Sequence, residues 1–211
     1  CGRGRLAVCV LAVEPDTALA RRVAAGGVRP LDEEGEAEAY TAAAEWLAEA
    51  GYEQYEVSNF ARPGRRCRHN WSCWRGAEYL GVGPAAHSLV GAVRSWNDRS
   101  LERYLAAVER AAPAPGGQET LGPQAARDER VWLGLRTCGG VALTAAETAA
   151  LQDQPRLEAL QEAGLLHRQG CRLLLGQRGW LVADAVAAEV AQLLDLRVPI
   201  ARSAVAAGAP A

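Results

Sequence analysis

The sequence predicts an α/β fold in two parts: strands of a parallel, barrel-like sheet covered by helices, then a small α+β domain of winged-helix type. Three observations support this prediction. Two strand patterns, at 6–13 and 52–58, flank a helix pattern at 32–51. Residues 112–122 are rich in Pro, Gly and Ala, which is typical of a domain linker. Beyond the linker, three helix patterns precede a pair of short strands, the order of a winged helix.

The first strand pattern, Leu6–Val13, is a nearly continuous apolar run, as expected of a parallel strand buried on both faces. The helix that follows has Asp32 as its N-cap and Gly51 just after its C-terminus. Its apolar stripe consists of Ala37, Tyr40, Ala44 and Leu47. Because a strand, a helix and a strand joined by short loops form a βαβ unit, we expect parallel strands here.

The second strand pattern, Tyr52–Ser58, has an apolar side and a polar side. Tyr55 and Val57 point one way, whereas Gln54 and Glu56 point the other way. In a barrel of parallel strands the polar row would face the lumen, close to the end where ligands bind. In an edge strand the same row would face water. Both interpretations remain open.

The middle of the chain is predicted to be mostly irregular. Residues 59–74 are predicted to form a loop, because Arg62-Pro63-Gly64 is a turn signal. A helix is expected at 100–111, before the linker at 112–122. The predicted domains are therefore 1–111 and 123–196, and the Ala-rich tail at 197–211 is expected to be disordered.

The second domain is predicted from its helix boundaries. Thr144 and Glu147 form a capping box at the start of its second helix. The expected helices are 123–135, the one from Thr144, 156–163 and 180–194, with strands at 165–168 and 171–175. The third helix carries Glu158 and Glu162, and residues 120–211 contain 9 Arg and 9 acidic residues. Nucleic-acid binding is therefore not expected, because it requires excess positive charge.

Composition narrows the class of protein. With 211 residues, 49% hydrophobic and 23% charged, the chain can bury an ordinary core. It has neither an apolar run of about 18 residues nor a secretory signal, and its six cysteines are scattered. We expect a cytoplasmic protein with reduced thiols; peripheral membrane association cannot be read from the sequence. The absence of Met, together with a strand pattern close to the first residue, suggests a piece whose N-terminal part is missing.

The electropositive part of the chain lies in its middle third. Residues 61–119 carry 9 Arg against 5 acidic residues. The 14 residues from 62 to 75 contain no acid and five arginines, namely Arg62, Arg65, Arg66, Arg68 and Arg75. Guanidinium groups at this density favour an anionic carboxylate or phosphate ligand. A solvated basic loop is the alternative.

His69 stands among Arg68, Asn70, Trp71 and Trp74. This surrounding is typical of a pocket for a flat, anionic, aromatic ligand, with the imidazole available to an iron atom. A histidine that is bonded to the backbone is the alternative. Cys67, His69 and Cys73 do not have the spacing of a structural zinc site and lack a fourth ligand nearby. Farther on, Gly81 and Gly83 allow close approach of a ligand to the backbone, or simply form a tight turn.

These motifs resemble a known family. The segments GYEQYEVSNFARPG, CRHNWSCWRG and EYLGVGPAAHS within 51–88 are similar to radical S-adenosylmethionine proteins related to oxygen-independent coproporphyrinogen III oxidase, most closely the heme chaperone HemW branch. The branch motif H-N-x-x-Y-W reads His69-Asn70-Trp71-Ser72-Cys73-Trp74 here, so Cys73 replaces the tyrosine. The resemblance covers about Leu6 to Leu194.

The resemblance implies the last strands of a partial, TIM-like radical SAM barrel, followed by the winged-helix-like domain. It implies heme binding by His69, Asn70 and Trp74. It also implies contact with S-adenosylmethionine, and the Arg side chains would hold an anionic ligand. The residues implied for S-adenosylmethionine are Gln54, Gly83, Ala86 and His87, and those for the anion are Arg62, Arg68 and Arg75. The family holds a [4Fe-4S] cluster with C-x3-C-x2-C, a motif that this chain lacks.

Three functions follow as hypotheses. The first is a heme chaperone that binds heme or a porphyrin and transfers it to an acceptor protein. The second is oxidative decarboxylation of coproporphyrinogen III in heme biosynthesis, for which this chain lacks the cluster cysteines. The third is a module whose winged-helix part docks a partner protein. The H-N-x-x-x-W element favours the first, and whether the chain acts as an enzyme stays open.

Overall fold

The computed structural model describes residues 3–11 and 13–197. The fold of this part is mixed α/β, as predicted. Its helices are α1 Ala18–Ala24, α2 Glu33–Glu49, α3 Arg68–Trp74, α4 Leu101–Glu109, α5 Pro123–Leu135, α6 Ala145–Ala150, α7 Pro155–Glu162 and α8 Ala183–Arg197, with a 3-10 helix at Gln177–Val182. Its strands are β1 Arg5–Ala7, β2 Glu53–Glu56, β3 Asn59–Ala61, β4 His87–Val90, β5 Val93–Asn97, β6 Gly116–Thr120, β7 Val141–Ala142, β8 Leu166–Gln169 and β9 Arg172–Leu175.

The first sheet has the order β1-β3-β2, and both of its pairings are antiparallel. The parallel pairing expected between the strands at 6–13 and 52–58 is therefore wrong. The reason is β3, which lies in the segment predicted as a loop. It turns back directly after β2 and occupies the place between β2 and β1, so these two strands run in the same direction without contact as neighbours.

The first strand is also shorter than predicted. It ends at Ala7, and Val10, Leu11 and Val13 of the apolar run are exposed. The helix prediction is confirmed: α2 begins after Asp32, whose carboxylate accepts a hydrogen bond of 2.9 Å from the backbone N–H of Gly35. At the other end Gly51 has a φ of 79°, a left-handed conformation that favours glycine.

The second sheet has the order β4-β5-β6 and is antiparallel. Its third strand lies inside the segment 112–122 that was predicted as a linker, where the sequence is rich in glycine. A Cβ at Gly117 would overlap the ring of Trp96 on the neighbouring strand. Glycine is therefore required by the close approach of two strands, and the division into domains stays a prediction.

The C-terminal part contains the main apolar core. Helices α5 and α8 pack against each other and against the sheet β7-β9-β8, through buried side chains that include Val131, Leu135, Leu173 and Val190. The predicted helix at 123–135, the capping box of Thr144 and Glu147, the helix near 156–163 and both strands of the hairpin are confirmed. The last helix begins later than expected, because its first turns form the 3-10 helix.

The predicted disordered tail lies outside the described residues from position 198 onward. In the part that the structure describes, no helix is both long and apolar enough to cross a membrane.

Candidate functional site

The site is built on α3, which the sequence analysis placed in a loop. The helix spans Arg68–Trp74, and its first residues lack a side-chain cap. The N–H of Trp71 donates to the carbonyl of Cys67 at 2.8 Å, and Gly76 ends the segment with a φ of 68°. Residues three and four apart lie on the same side of a helix. The motif that includes His69 is therefore divided between different faces of α3.

One face of α3 is apolar and packed. The ring of Trp71 lies edge-on to the buried ring of Tyr55, with 6.1 Å between the ring centres. The guanidinium of Arg66 lies 5.5 Å from the Trp71 ring centre, a cation–π contact. These contacts fix α3 on the first sheet.

Trp71, Trp74 and Arg75 line a cavity of about 740 Å³. Small-molecule sites have volumes of about 300 to 1,000 Å³, so the cavity can hold a large organic ligand. Its opposite wall comes from α5 and from the turn after it, and its edge comes from the hairpin of the second sheet. The principal residues of these walls are Leu89, Gly91, Ala92, Ala126, Glu129, Arg130, Leu133, Gly139, Gly140 and Arg172.

Most charged groups around the cavity already have partners. Arg172 donates to the carbonyl oxygens of Gly139 at 2.6 Å and Gly140 at 3.0 Å. Arg130 pairs with the buried carboxylate of Glu147. Each of these arginines is thus committed to the protein's own structure.

The carboxylate of Glu129 accepts two hydrogen bonds from Arg94, of 2.6 and 2.5 Å. Both bonds come from Nη2 of Arg94, and this interaction raises the pKa of Arg94 above its ordinary value. The side chain of Arg75, by contrast, is exposed, and its guanidinium has no hydrogen bond or ion pair within the described residues. It is the cation of the cavity wall that remains available to a ligand.

His69 lies away from the cavity. Its side chain is exposed, and its Nε2 lies 4.0 Å from Sγ of Cys73, one turn later on α3. Asn70 is half-buried, and its Oδ1 is buried without a hydrogen-bond partner among the residues that the structure describes. Of the three residues predicted to bind heme, only Trp74 lines the cavity.

The other two arginines predicted for an anion also lie outside the cavity lining. Arg62 stacks on Tyr52, with its guanidinium carbon 4.8 Å from the ring centre. Arg68 is exposed at the start of α3. The three arginines predicted to bind an anion therefore do not share one site. Of these three, only Arg75 lines the cavity beside Trp74.

The residues predicted for S-adenosylmethionine lie in two places. Gln54, on β2 of the first sheet, donates to the hydroxyl of Tyr40 at 2.5 Å. Gly83 donates to the hydroxyl of Tyr104 at 3.1 Å, and the carbonyl of Ala86 accepts a bond of 2.9 Å from Asn97. His87 begins β4 of the second sheet and pairs with Trp96. Their role with this ligand stays a prediction.

Sequence reasoning missed the far wall of the cavity. Trp71 was noticed within the motif but was not assigned to the site, although its neighbours were. Gly139-Gly140 and Arg172 come together from α5's following turn and from β9, and no local pattern connects them. A Cβ at Gly140 would overlap the carbonyl of Leu173 on β9, which shows how closely these segments approach.

The residues present do not fit a [4Fe-4S] cluster. The motif C-x3-C-x2-C is absent from the sequence. Cys9, Cys67, Cys73, Cys138 and Cys171 are free thiols, and the described residues contain no group of three or more His, Cys, Asp or Glu placed to hold a metal ion. No reaction step is therefore assigned to a cluster in this chain.

Comparison with known proteins supports the family resemblance that the motif indicates. No family model matches the chain. The heme chaperone HemW of Mycobacterium tuberculosis is 39% identical over 185 residues, which is 88% of this chain and 47% of that protein. HemW of Bacillus subtilis is 29% identical over 188 residues, 83% of this chain and 48% of that protein. This chain is a relative of the HemW heme chaperones. It spans about half the length of the curated HemW proteins that it matches.

Two further proteins extend the comparison with HemW. The mitochondrial radical S-adenosyl methionine domain-containing protein 1 of Bos taurus is 48% identical over 77 residues, 36% of this chain and 17% of that protein. Among solved structures, the radical SAM enzyme coproporphyrinogen III oxidase (HemN) of Escherichia coli matches with a TM-score of 0.59. The match covers 92% of this chain and 48% of HemN, at 16% identity. This last likeness concerns the fold alone.

Proposed function

We propose that this chain is the heme-binding part of a HemW-type heme chaperone. The observation that carries the proposal is that Trp74 and Arg75, at the end of the motif helix α3, line a cavity of about 740 Å³. The curated relatives are heme chaperones by name. A carrier of this kind takes up heme and passes it to an acceptor protein, which the sequence and the fold do not identify.

The cavity has the chemistry that a porphyrin requires. Heme is a flat aromatic ring with two carboxylates at one edge. The indoles of Trp71 and Trp74 offer flat apolar surfaces, and aromatic contacts of this type stabilise a complex beyond the area that they bury. The unpaired guanidinium of Arg75 supplies a bidentate donor for a carboxylate. Leu89 and Leu133 add apolar surface to the cavity.

The cavity holds the ring without holding the iron. None of the residues that line it is His, Cys, Met or Tyr, the usual axial ligands of heme iron. A carrier benefits from this arrangement, because a ligand held only by its ring and carboxylates dissociates more easily into an acceptor. Heme could also bind elsewhere on α3. In this alternative placement His69 is the iron ligand, as predicted from the motif, and the porphyrin ring lies on the exposed face of α3.

We also infer the finer architecture from these relatives. Residues 1–111 would contain the last strands of a barrel together with the motif segment, and residues 123–196 would be a winged-helix-like domain. The order of helices and hairpin in the C-terminal part and the likeness to HemN in fold support this inference. Binding of S-adenosylmethionine by Gln54, Gly83, Ala86 and His87 would belong to the longer protein, together with the cluster.

Heme titration tests the proposal. We expect the chain to bind hemin with one site, measured by the Soret absorbance and by quenching of tryptophan fluorescence. Trp74→Ala should weaken binding roughly 5- to 160-fold, since aromatic stacking contributes on the order of 1 to 3 kcal/mol. Trp46→Ala is the matched control, because Trp46 is 70% exposed on α2 and lies outside the cavity lining. Equal affinities of the two variants would refute the cavity as the heme site.

The enzyme hypothesis is tested separately. The fold likeness to HemN does not carry an activity, and this chain lacks the cluster motif. Product analysis with coproporphyrinogen III and the complete, reconstituted protein distinguishes the two functions. A chaperone leaves the propionate side chains of the substrate intact, whereas an oxidase converts two of them to vinyl groups.

A further inference from the structure

The exposed face of α3 carries a pair of soft metal ligands. Nε2 of His69 lies 4.0 Å from Sγ of Cys73. The two residues are one helical turn apart, and neither lines the cavity proposed for heme. Positions i and i+4 of a helix are the spacing that places two side chains around one ion.

The separation of the two atoms matches one bridging ion. Metal–sulfur and metal–nitrogen bonds are about 2.3 Å and about 2.0 Å long, so a linear N–metal–S unit spans roughly 4.3 Å. The observed distance of 4.0 Å is roughly 0.3 Å shorter than this span, so a nearly linear unit requires the two side chains to separate by about that amount. Within the described residues Nδ1 of His69 has no hydrogen-bond partner, so binding through Nε2 requires only the neutral imidazole.

The number of ligands selects the type of ion. The described residues contain no group of three or more His, Cys, Asp or Glu that could surround a metal, so this face lacks the four ligands of a structural zinc site. Thiolate and imidazole are both ligands of copper, and copper(I) differs from zinc in accepting only two ligands in a nearly linear arrangement. Binding replaces the thiol proton of Cys73 with the metal and leaves the oxidation states unchanged.

We propose that His69 and Cys73 form a two-ligand site for a soft monovalent metal ion of the copper(I) class. The site is separate from the proposed heme cavity and does not depend on it. A metal ion here would occupy Nε2 of His69, the nitrogen that the alternative heme placement requires. Metal and heme would then compete only if heme binds on this face.

Silver(I) is the probe, because it has the same charge and ligand preference as copper(I) and does not undergo redox reactions in buffer. The chain has three histidines, His69, His87 and His167, so the ring signals of a 15N-histidine-labelled sample are resolved by assignment. We expect silver(I), added anaerobically without heme, to shift the His69 ring nitrogens in slow exchange. The signals of His87 and His167 should remain in place.

Two variants test whether the silver-induced shift of His69 requires the thiol of Cys73. In Cys73→Ser and in Cys73→Tyr, which restores the residue of the motif, the His69 shift should disappear at the same silver concentration. Cys171→Ser is the control, since Cys171 is an exposed thiol on the β8–β9 turn, and it should retain the shift. An unchanged His69 spectrum in the unmodified chain, or the same shift in Cys73→Ser, would overturn the proposal. Circular dichroism verifies that each variant is folded.

Discussion

The backbone N–H of Cys138 donates a hydrogen bond of 3.0 Å to the carbonyl oxygen of Tyr55. The N–H of Val57 donates to the carbonyl of Arg136 at 3.1 Å, and Glu56 and Thr137 form a bridge between these two bonds. The turn after α5 is thus attached to the edge of β2. Because this turn continues into one wall of the cavity and the Tyr55 ring supports Trp71 on the other, one backbone contact connects both walls.

Tyr55 should therefore be important for stability through its ring and not through its hydroxyl. The side chain is fully buried, and within the described residues its hydroxyl lies near the backbone of Cys67 but makes no hydrogen bond of full geometry. We expect Tyr55→Ala to lower the free energy of unfolding by about 3 to 5 kcal/mol, as for other buried aromatic residues. Tyr55→Phe should change it by less than about 1 kcal/mol, since it removes a buried polar group that lacks a partner. Urea denaturation measures both; a large loss in Tyr55→Phe would show that the hydroxyl is bonded.

Gly140 should tolerate a side chain much less than Gly170 does. Both glycines have a φ of 59°, so alanine is strained at either position. A Cβ at Gly140 would overlap the carbonyl of Leu173, whereas a Cβ at Gly170 has open space around it. We expect Gly170→Ala to cost about 1 to 2 kcal/mol from the left-handed backbone alone. Gly140→Ala should cost more by a clear margin in the same thermal or urea measurement. Equal losses would mean that β9 moves aside without cost.

Local signals in the sequence were sufficient for the elements whose ends carry specific side chains. The N-cap of Asp32, the left-handed Gly51 and the reciprocal bonds of Thr144 and Glu147 are interactions within four residues or with the next turn. Such local contacts can be recognised from the spacing of the residues in the sequence. The strands and helices of the C-terminal part were predicted on this basis.

Elements that depend on distant partners were not predictable. β3 is only three residues long and precedes a turn signal, and it exists because β1 and β2 both bond to it. β6 is rich in glycine because Trp96 of the neighbouring strand occupies the space of a side chain. Because contacts between distant residues leave no local signal, only one wall of the cavity was predicted. Trp74 was identified from the motif and Arg75 from the arginine-rich segment, but the wall that faces them comes from residues more than fifty positions away.

Arg75 should contribute to heme affinity through one carboxylate. Its guanidinium lies on the cavity wall without a partner among the described residues. We expect Arg75→Gln to weaken hemin binding roughly three- to tenfold, since charge-assisted hydrogen bonds contribute about 1.5 to 3 kcal/mol when desolvated and less when exposed. Heme dimethyl ester, which lacks both charges, should bind the unmodified chain and Arg75→Gln alike. Arg99→Gln is the control, because Arg99 is exposed and lies outside the cavity.

Cys138 should react slowly with alkylating reagents near neutral pH. Burial raises the pKa of its thiol, and the nearby Arg66 offsets only part of this effect. Because the thiolate is the reactive form, the rate of alkylation should increase only at a pH above that of an ordinary thiol. Peptide mass spectrometry after timed exposure to iodoacetamide gives the rate at each pH. Arg66→Gln should slow the reaction further, and a faster reaction in this variant would contradict the assigned role of Arg66.

His69→Ala distinguishes the two placements of heme. If the ring occupies the cavity, as we propose, this substitution should change the hemin dissociation constant by less than about twofold and leave the Soret maximum in place, because His69 lies outside the cavity lining. Trp74→Ala should then have the larger effect. If the ring binds on the exposed face of α3, the order is reversed: loss of the imidazole removes the iron ligand and shifts the Soret maximum. The double variant, compared with each single variant, shows whether the two side chains contact the same heme, since residues that share a ligand are not additive.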